Sequence, residues 1–206
     1  MDSFEKKLWG AGFSLIAGVD EAGRGALAGP VVAAAVIFSS GTKNFGLRDS
    51  KKLTAPRREC LFKEIEQKAV SIGIGVVGPE EIDRINILRA TLKAMEAALS
   101  FLSHRPDYVI IDGNQSVKSD LPQETIVKGD DRSFSIAAAS IIAKVTRDRM
   151  MSSLHDKFPD YNFPGHKGYG TEEHRDAINK YGMSSVHRKS FVLKASEGEQ
   201  LSIFQH

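Results

Sequence analysis

Four carboxylates in the sequence have the residue types and the positions expected of a metal-dependent hydrolytic site. Asp20 and Glu21 end an apolar segment near the start of the chain. Asp112 ends a second apolar segment, and Asp130 comes shortly after a third. Apolar strands that end in acidic side chains place them at strand ends, where open α/β sheets build their sites. If these strands are neighbours, the negative charges converge, and a hard cation such as Mg²⁺ or Mn²⁺ relieves their repulsion.

Each acid taken alone also has an ordinary structural explanation. An Asp at a strand end is commonly a turn residue or a helix N-cap, and Asp131 is placed to cap the helix that follows it. The set is harder to explain in this way, because the pair Asp20 and Glu21 abuts a glycine-rich loop. We therefore predict one site, on condition that the fold brings the three strands together.

Two glycine-containing loops carry groups suited to nucleic acid. The sequence Gly23-Arg24-Gly25, the GRG loop, directly follows the acidic pair. Its glycines let backbone N–H groups approach a ligand, and Arg24 offers a fork of donors to a phosphate. The second loop, GHKGYG at 165–170, surrounds Tyr169 with glycines and cations, which suits stacking of the ring on a base or sugar. The alternatives are a tight turn with a solvated Arg24, and a Tyr169 that packs on the core.

Hydrophobic patterning predicts a sheet flanked by helices. We predict strands over 13–20, 30–38, 70–77, 108–112 and 125–128, and helices over 54–69, 82–102, 135–151 and 172–180. Adjacent early strands followed by strand–helix alternation favour a mixed sheet over a purely parallel one. Residues 183–206 are poorly periodic.

Composition excludes several classes of protein. The 206 residues include 41% hydrophobic and 26% charged residues with a net charge of +2, which is typical of a globular domain. The single cysteine, Cys60, excludes an intrachain disulfide and a multi-cysteine zinc site, and we expect it in the core. The longest apolar run, 31–38, is too short to span a bilayer, and residues 1–10 lack the apolar core of a secretory signal. We therefore expect a cytoplasmic protein with no membrane contact.

Other familiar site patterns are missing from the sequence. It contains neither a P-loop nor a G-x-G-x-x-G motif behind a strand. The histidines of the C-terminal third lack metal-type spacing, and we expect most of them at the surface: His155, His166, His174 and His187.

Seven motifs follow one another along the chain: DEAGRG at 20–25 with GPV at 29–31, DSKKL at 49–53, DGN at 112–114, KGD at 128–130, SIAAASIIAKVTRD at 135–148, HKGYGT at 166–171 and HRKSF at 187–191. In this combination and order they resemble bacterial type 2 ribonuclease H, the ribonuclease HII family, and the resemblance covers about residues 13–191. The related type 3 enzymes usually carry an extra N-terminal domain and lack the arginine of the GRG loop. Arg24 and the short segment before the first strand therefore favour type 2.

The resemblance implies a fold, a reaction and a cofactor. The fold is α/β, a ribonuclease H-like mixed sheet flanked by helices with a short C-terminal helical segment. It forms one catalytic domain over 1–206, with its core at about 13–191 and a tail at 192–206. The implied enzyme hydrolyses the RNA strand of RNA–DNA hybrids and incises duplex DNA 5′ to embedded ribonucleotides, leaving 5′-phosphate and 3′-hydroxyl ends. Two ions, Mn²⁺ or Mg²⁺, would be held by the family's catalytic acids, which match Asp20, Glu21, Asp112 and Asp130.

The resemblance also implies the residues that contact the substrate. Gly23, Arg24 and Gly25 match the loop that senses the 2′-hydroxyl, the group that distinguishes RNA from DNA. Tyr169 matches the tyrosine that contacts the adjacent nucleotide and enforces the RNA–DNA junction. We expect a monomer that binds nucleic acid, with further phosphate contacts from Lys51, Lys144 and Lys167.

Two other functions remain open on the sequence. Another nuclease or transferase of the same fold, such as a junction resolvase, would cut DNA that lacks ribose. A non-catalytic hybrid-binding module would not need the four acids, which repel phosphate, so the intact acidic set speaks against it.

Overall fold

Five strands form one mixed sheet in the computed structural model, which describes residues 3–191. They are β1 (Ile16–Ala22), β2 (Val31–Ile37), β3 (Ser71–Val77), β4 (Tyr108–Asp112) and β5 (Gln123–Ile126). Their order across the sheet is β3-β2-β1-β4-β5. β2 runs antiparallel to both β1 and β3, whereas β4 runs parallel to both β1 and β5. β1 is therefore the central strand, and its carboxyl end lies beside that of β4.

Helices cover both faces of this sheet. In chain order they are α1 (Ser3–Gly10), α2 (Ala55–Lys68), α3 (Pro79–Ile85), α4 (Ile87–Ser100), α5 (Phe134–His155), α6 (Phe163–His166) and α7 (Glu172–Tyr181). Short 3₁₀ turns occupy Ser50–Lys52, Gly129–Asp131 and Pro159–Tyr161. α5 and α2 pack on one face, and α4 packs on the other. The mixed sheet flanked by helices that the sequence predicts is confirmed.

The burial of β2 on both faces explains its uninterrupted apolar sequence. Ala34 and Val36 pack in the core beneath α5 and α2, whereas Ala33 and Ala35 pack beneath α4. On β1, a Cβ at Gly18 would lie 2.3 Å from the carbonyl carbon of Ser135. Glycine at this position therefore lets the start of α5 lie directly against the central strand.

The predicted helix over 82–102 is wrong as a single element, since the chain forms α3 and α4 with a break between them. Asn86 stands at the break with a φ of 68°, in the left-handed region that interrupts an α-helix. Its Oδ1 atom accepts a 3.1 Å hydrogen bond from the N–H of Arg89 and so caps α4. The apolar spacing continues across the break because both helices cover the same face of the sheet.

The sequence does not predict α1, which packs against the N-terminal end of α5. The expected cap of α5 is also wrong. Ser133, not Asp131, caps α5 by accepting a hydrogen bond from the N–H of Ile136. Glu5 of α1 is fully buried and accepts hydrogen bonds from the Ser133 hydroxyl, at 2.5 Å, and from the N–H of Ser135, at 3.0 Å. A carboxylate at a helix N-terminus also interacts favourably with the helix dipole.

Two further outcomes concern the ends of the sequence and its apolar segments. The predicted tail at 192–206 lies outside the described residues, and α7 is the last helix within them. Along residues 3–191, no helix is both long enough and apolar enough to cross a membrane.

Candidate active site

The carboxyl ends of β1 and β4 and the turn after β5 bring the four predicted acids to one edge of the sheet. Asp20 and Glu21 lie at the end of β1, and Asp112 is the last residue of β4. Asp130 lies in the 3₁₀ turn that follows β5. The Oδ1 atom of Asp112 accepts a 2.6 Å hydrogen bond from the N–H of Gly129, which ties the end of β4 to this turn. We call these four carboxylates the acidic cluster.

Burial and mutual repulsion change the acidity of the cluster. Burial, followed by the charges of Glu21 and Asp112, holds the pKa of Asp20 well above its usual value. Burial also raises the pKa of Glu21, although the neighbouring guanidinium of Arg24 offsets part of the rise. Burial and the charge of Asp112 raise the pKa of Asp130 to about 6. Full ionisation of the cluster is therefore unfavourable without a neighbouring positive charge.

The turn from Asp49 to Lys52 lies against the same cluster. The side chain of Asp49 accepts a 2.8 Å hydrogen bond from the N–H of Lys51, and its charge contributes to the raised pKa of Asp130. Burial alone lowers the pKa of Lys51, but the nearby carboxylates outweigh burial and raise it. Lys51 therefore lies within electrostatic range of the acidic cluster. We missed Asp49 as a neighbour of the site, although its motif at 49–53 was visible in the sequence.

The chemistry of these residues fits hard divalent ions. Four carboxylates supply the oxygen ligands that Mg²⁺ and Mn²⁺ prefer, and their unbalanced charge is what a cation would neutralise. Within residues 3–191, no three His, Cys, Asp or Glu side chains are placed so that they could hold one ion as they stand. The fit therefore rests on the donor set and its charge, and the side chains would have to adjust around an ion.

Two buried arginines pack against the GRG loop, and one of them, Arg188, holds it by hydrogen bonds. Arg188 donates hydrogen bonds to the carbonyl oxygens of Gly23, at 2.7 Å, and Arg24, at 2.9 Å. Gly23 has a φ of 96°, and a Cβ there would lie 2.0 Å from Nε of Arg147. Burial, and then the charge of Arg147, lower the pKa of Arg188 to about 9. Arg24 itself is exposed and forms a 3.3 Å ion pair with Glu21.

Tyr169 lies directly beside this loop, so the structure brings together two motifs that are 140 residues apart. Tyr169 forms an antiparallel bridge with Ala26, and the N–H of Leu27 donates a 2.8 Å hydrogen bond to the carbonyl of Gly168. The ring is half-buried, with the guanidinium of Arg147 5.2 Å from its centroid. It is neither fully exposed nor packed in the core.

Of the other two predicted lysines, Lys144 lies beside the ring of Tyr169, whereas Lys167 bonds to α5. The ammonium of Lys144 lies 5.5 Å from the centre of the Tyr169 ring and forms a 2.7 Å ion pair with Asp148. Lys167 has a φ of 52°, and its Nζ donates a 3.0 Å hydrogen bond to the hydroxyl of Ser152. Both are partly exposed, so a phosphate that lies along this surface could reach them.

Several predictions about other residues are wrong. Three of the histidines expected at the surface are buried: His166, His174 and His187. Cys60, expected in the core, is exposed on α2. Arg147 and Arg188 are fully buried and were not singled out, although both stand within motifs of the resemblance. A charged residue type gives no signal of burial when its partners are backbone carbonyls distant in the sequence.

Comparison with known proteins gives consistent matches. Residues 17–194 match the family model for Ribonuclease HII. A Ribonuclease HII of Syntrophus aciditrophicus is 53% identical over 201 residues, which cover 98% of this chain and 95% of that protein. The structure of the PCNA:RNase HII complex from Archaeoglobus fulgidus has a TM-score of 0.74 and 28% identity, covering 92% of this chain and 100% of that chain. The structure of Bst-RNase HIII in complex with Mn²⁺ shares the fold, with a TM-score of 0.58 and 20% identity over 82% of this chain and 63% of that chain.

Proposed function

The chain belongs to the ribonuclease HII family, and we propose that it incises duplex DNA on the 5′ side of embedded ribonucleotides with two divalent ions. As a ribonuclease HII, the protein is a hydrolytic nuclease that cleaves the RNA strand of RNA–DNA hybrids. The finer proposal rests on one observation. The GRG loop directly follows Asp20 and Glu21 of the acidic cluster, and the bridge from Ala26 to Tyr169 joins this loop and the tyrosine into one surface.

Asp20, Glu21, Asp112 and Asp130 would hold the two ions, Mg²⁺ or Mn²⁺. Bound there, the ions supply an activated water and neutralise charge on the leaving 3′ oxygen. Lys51, in the turn at 49–52, lies within electrostatic range of the same cluster and would help to orient the scissile phosphate. Hydrolysis at this phosphate leaves a 3′-hydroxyl on the upstream DNA and a 5′-phosphate on the ribonucleotide.

The GRG loop is suited to sense the 2′-hydroxyl through its backbone. The buried guanidinium of Arg188 donates hydrogen bonds to the carbonyl oxygens of Gly23 and Arg24, so both carbonyls point inward. In a trans peptide the N–H group points opposite to the carbonyl of the preceding residue. The N–H groups of Arg24 and Gly25 therefore point away from the buried guanidinium. A Cβ at Gly25 would meet nothing within 4 Å, so open space lies above the loop where a ribose can enter.

Tyr169 is suited to contact the nucleotide next to that ribose. Its ring lies beside the GRG loop through the bridge with Ala26, and two cations, Lys144 and Arg147, lie close to it. Stacking on an aromatic ring is tolerant of base identity, which suits an enzyme that must act at any sequence.

The proposal is tested with two labelled duplexes, one all DNA except for a single ribonucleotide and the other its ribose-free twin. Each is incubated with Mg²⁺, Mn²⁺ or EDTA, and the cut position is mapped. We expect metal-dependent cleavage of the first duplex alone, at the phosphate 5′ to the ribonucleotide. Cleavage of both duplexes would indicate a general nuclease of this fold. Failure to cut either one would contradict the proposed activity.

A further inference from the structure

Three buried histidines lie behind the loop that carries Tyr169, and no step of the proposed reaction uses them. His174, on α7, and His187, which bridges to Ala28, are almost completely buried. His166, at the end of α6, stacks on His174 with ring centres 4.3 Å apart. Buried polar rings of this kind are stable only when their nitrogens find hydrogen-bond partners.

The hydrogen bonds of His187 and His174 assign a proton to one nitrogen of each ring. The N–H of Ser184 donates a 2.9 Å hydrogen bond to Nδ1 of His187, so that nitrogen carries no proton. The proton of neutral His187 is therefore on Nε2, which lies 3.0 Å from Nε2 of His174. His174 accepts at Nε2 and carries its own proton on Nδ1, which donates a 3.0 Å hydrogen bond to the carbonyl of Tyr169.

The hydrogen bonds of His166 likewise assign the protonated nitrogen of its ring. The N–H of Gly168 donates to Nδ1 of His166 at 3.2 Å, so His166 carries its proton on Nε2 and donates to the carbonyl of Tyr161 at 2.7 Å. Every ring nitrogen of the three histidines then has a hydrogen-bond partner when all three are neutral, and Nδ1 of His187 also lies 2.8 Å from the hydroxyl of Ser184. Burial, as the main cause, lowers the pKa of both His174 and His187 to about 4, so both are neutral at pH 7.

We propose that His174 and His187 are positioning residues that hold the backbone of Tyr169 against the GRG loop through this directional relay of hydrogen bonds. The relay begins at the N–H of Ser184 and ends at the carbonyl of Tyr169. The inference rests on the proposed function of Tyr169 at the RNA–DNA junction.

The segment that starts the relay also holds the GRG loop. Arg188, the residue after His187, donates its backbone N–H to the carbonyl of Leu27 and its guanidinium to the carbonyl of Gly23. Two consecutive residues therefore fix the two surfaces that would contact the substrate. Displacing either surface by about 1 Å can cost on the order of 100-fold in rate when geometry is critical.

The tautomers can be tested without any activity measurement. In wild-type protein labelled with ¹⁵N-histidine, long-range ¹⁵N–¹H spectra at pH 7 report which ring nitrogen of each histidine carries the proton. We expect the proton on Nδ1 in His174 and on Nε2 in His166 and His187. A proton on Nε2 of His174, or a doubly protonated His174, would overturn the relay whatever the enzyme cleaves.

Two substitutions of His174 separate the bond to Tyr169 from the bond to His187. In His174→Asn the side-chain amide can donate from the position of Nδ1, whereas in His174→Gln the amide reaches only the position of Nε2. For cleavage of the single-ribonucleotide duplex, we expect His174→Gln to lower kcat about 10-fold at unchanged duplex affinity, and His174→Asn to recover most of the loss. His104→Gln, at an exposed histidine, is the matched control.

A double-mutant cycle with Tyr169→Ala distinguishes positioning from general damage. If His174 acts through Tyr169, the variant with both Tyr169→Ala and His174→Gln should cleave no more slowly than Tyr169→Ala alone. The proposal would be contradicted if the fold losses in cleavage rate of Tyr169→Ala and His174→Gln multiplied in the double variant. Equal losses in His174→Gln and His174→Asn would contradict it as well. If Tyr169→Ala itself cleaves like wild type, the proposed function of Tyr169 fails, and the spectra still decide whether the relay exists.

Discussion

Arg188 donates a 2.7 Å hydrogen bond from its fully buried guanidinium to the carbonyl oxygen of Gly23, 165 positions earlier in the chain. The same guanidinium also reaches the carbonyls of Arg24 and Gly29. A five-donor fork can bind several carbonyls at once, which a lysine ammonium cannot match in geometry. The end of the described chain thereby fixes the loop that follows the acidic pair.

Replacing this arginine tests how much of the loop's order depends on it. In Arg188→Gln, buried carbonyls lose their partners, and each unsatisfied group costs about 1–3 kcal/mol. We expect the midpoint of thermal unfolding to fall and cleavage 5′ to the ribonucleotide to be lost together. Arg175→Gln, at an exposed arginine of α7, is the matched control. An unchanged unfolding midpoint in Arg188→Gln would show that the loop does not depend on Arg188.

The two glycines of the GRG loop should respond differently to alanine. In Gly23→Ala, the new Cβ would lie 2.0 Å from Nε of Arg147 at a backbone φ of 96°, so we expect a loss of stability. In Gly25→Ala, the Cβ meets open space, so the protein should keep its stability but lose cleavage, because the methyl group enters the space proposed for the ribose. Thermal unfolding and single-turnover cleavage measure the two effects. Full activity of Gly25→Ala would remove this loop from substrate sensing.

Burial of Asp20, together with repulsion from its neighbours in the acidic cluster, predicts a gain in stability when its charge is removed. Because the pKa of Asp20 is raised in the folded protein, its ionised form destabilises the fold at pH 7. In Asp20→Asn, the side-chain oxygen can still accept from the N–H of Glu21. In EDTA we expect the midpoint of thermal unfolding to rise by roughly 2–4 °C for each kcal/mol gained. A lower midpoint than that of wild type would contradict the unfavourable ionisation of Asp20 in the folded protein.

The same variant should respond less strongly to metal. Mg²⁺ or Mn²⁺ should raise the unfolding midpoint of the wild-type protein, because a ligand that binds only the folded state stabilises it. We expect a smaller rise in Asp20→Asn. Equal shifts in the two proteins would place the bound ion elsewhere.

The buried histidines predict a loss of stability in acid. Since the pKa of His174 and His187 is about 4 in the folded protein and about 6.5 in the unfolded chain, the unfolded state takes up protons first as pH falls. Their contribution to the free energy of unfolding is therefore complete above about pH 6.5 and declines down to about pH 4. The titratable groups that lie beside His174 are His166 and His187, on neighbouring segments, and Glu173, on α7 itself.

This decline is measured as a difference, because the acidic cluster titrates in the opposite sense. Carboxyls with a raised pKa gain protons in the folded state first and favour it as pH falls. The free energy of unfolding in urea is therefore compared between wild type and His174→Asn from pH 7 to pH 4.5. We expect wild type to lose more than the variant over this range. Identical slopes would mean that His174 is not buried in neutral form.

Much of the fold follows from local sequence patterns. The apolar run of β2 and the period-two alternation of β3 predict both strands to within one residue of their observed bounds. A strand buried on both faces is apolar throughout, whereas a strand buried on one face alternates, so each leaves a distinct pattern in the sequence. α1 is not predicted because it is short and because Glu5, a charged residue type, gives no sign of burial in the sequence. Its burial depends on the hydrogen bond from Ser133, which is distant in the sequence. The start of β5 was misplaced, since Gln123 and Glu124 carry no apolar alternation.

The four acids of the candidate site could be predicted from the sequence, but the residues that support the GRG loop and Tyr169 could not. Asp20 and Asp112 follow apolar segments that clearly predict strands. Because these two strands are parallel neighbours in the sheet, their carboxyl ends lie at the same edge. The roles of Arg188 and His174 depend on backbone carbonyls at Gly23 and Tyr169, and a carbonyl is the same at every residue. Hydrogen bonds of that kind leave no pattern in the sequence.

The most direct test of the proposed site is single-turnover cleavage of the single-ribonucleotide duplex by Asp112→Asn, with duplex affinity measured in parallel. Asparagine keeps the size of the side chain and its oxygen for the N–H of Gly129 but removes the charge that would hold an ion. We expect cleavage in Mg²⁺ or Mn²⁺ to fall by about 100-fold or more, since a lost metal ligand removes several kcal/mol of transition-state stabilisation, while binding and the unfolding midpoint are retained. An Asp112→Asn protein that cleaves as fast as wild type would contradict the assignment of the acidic cluster as the active site.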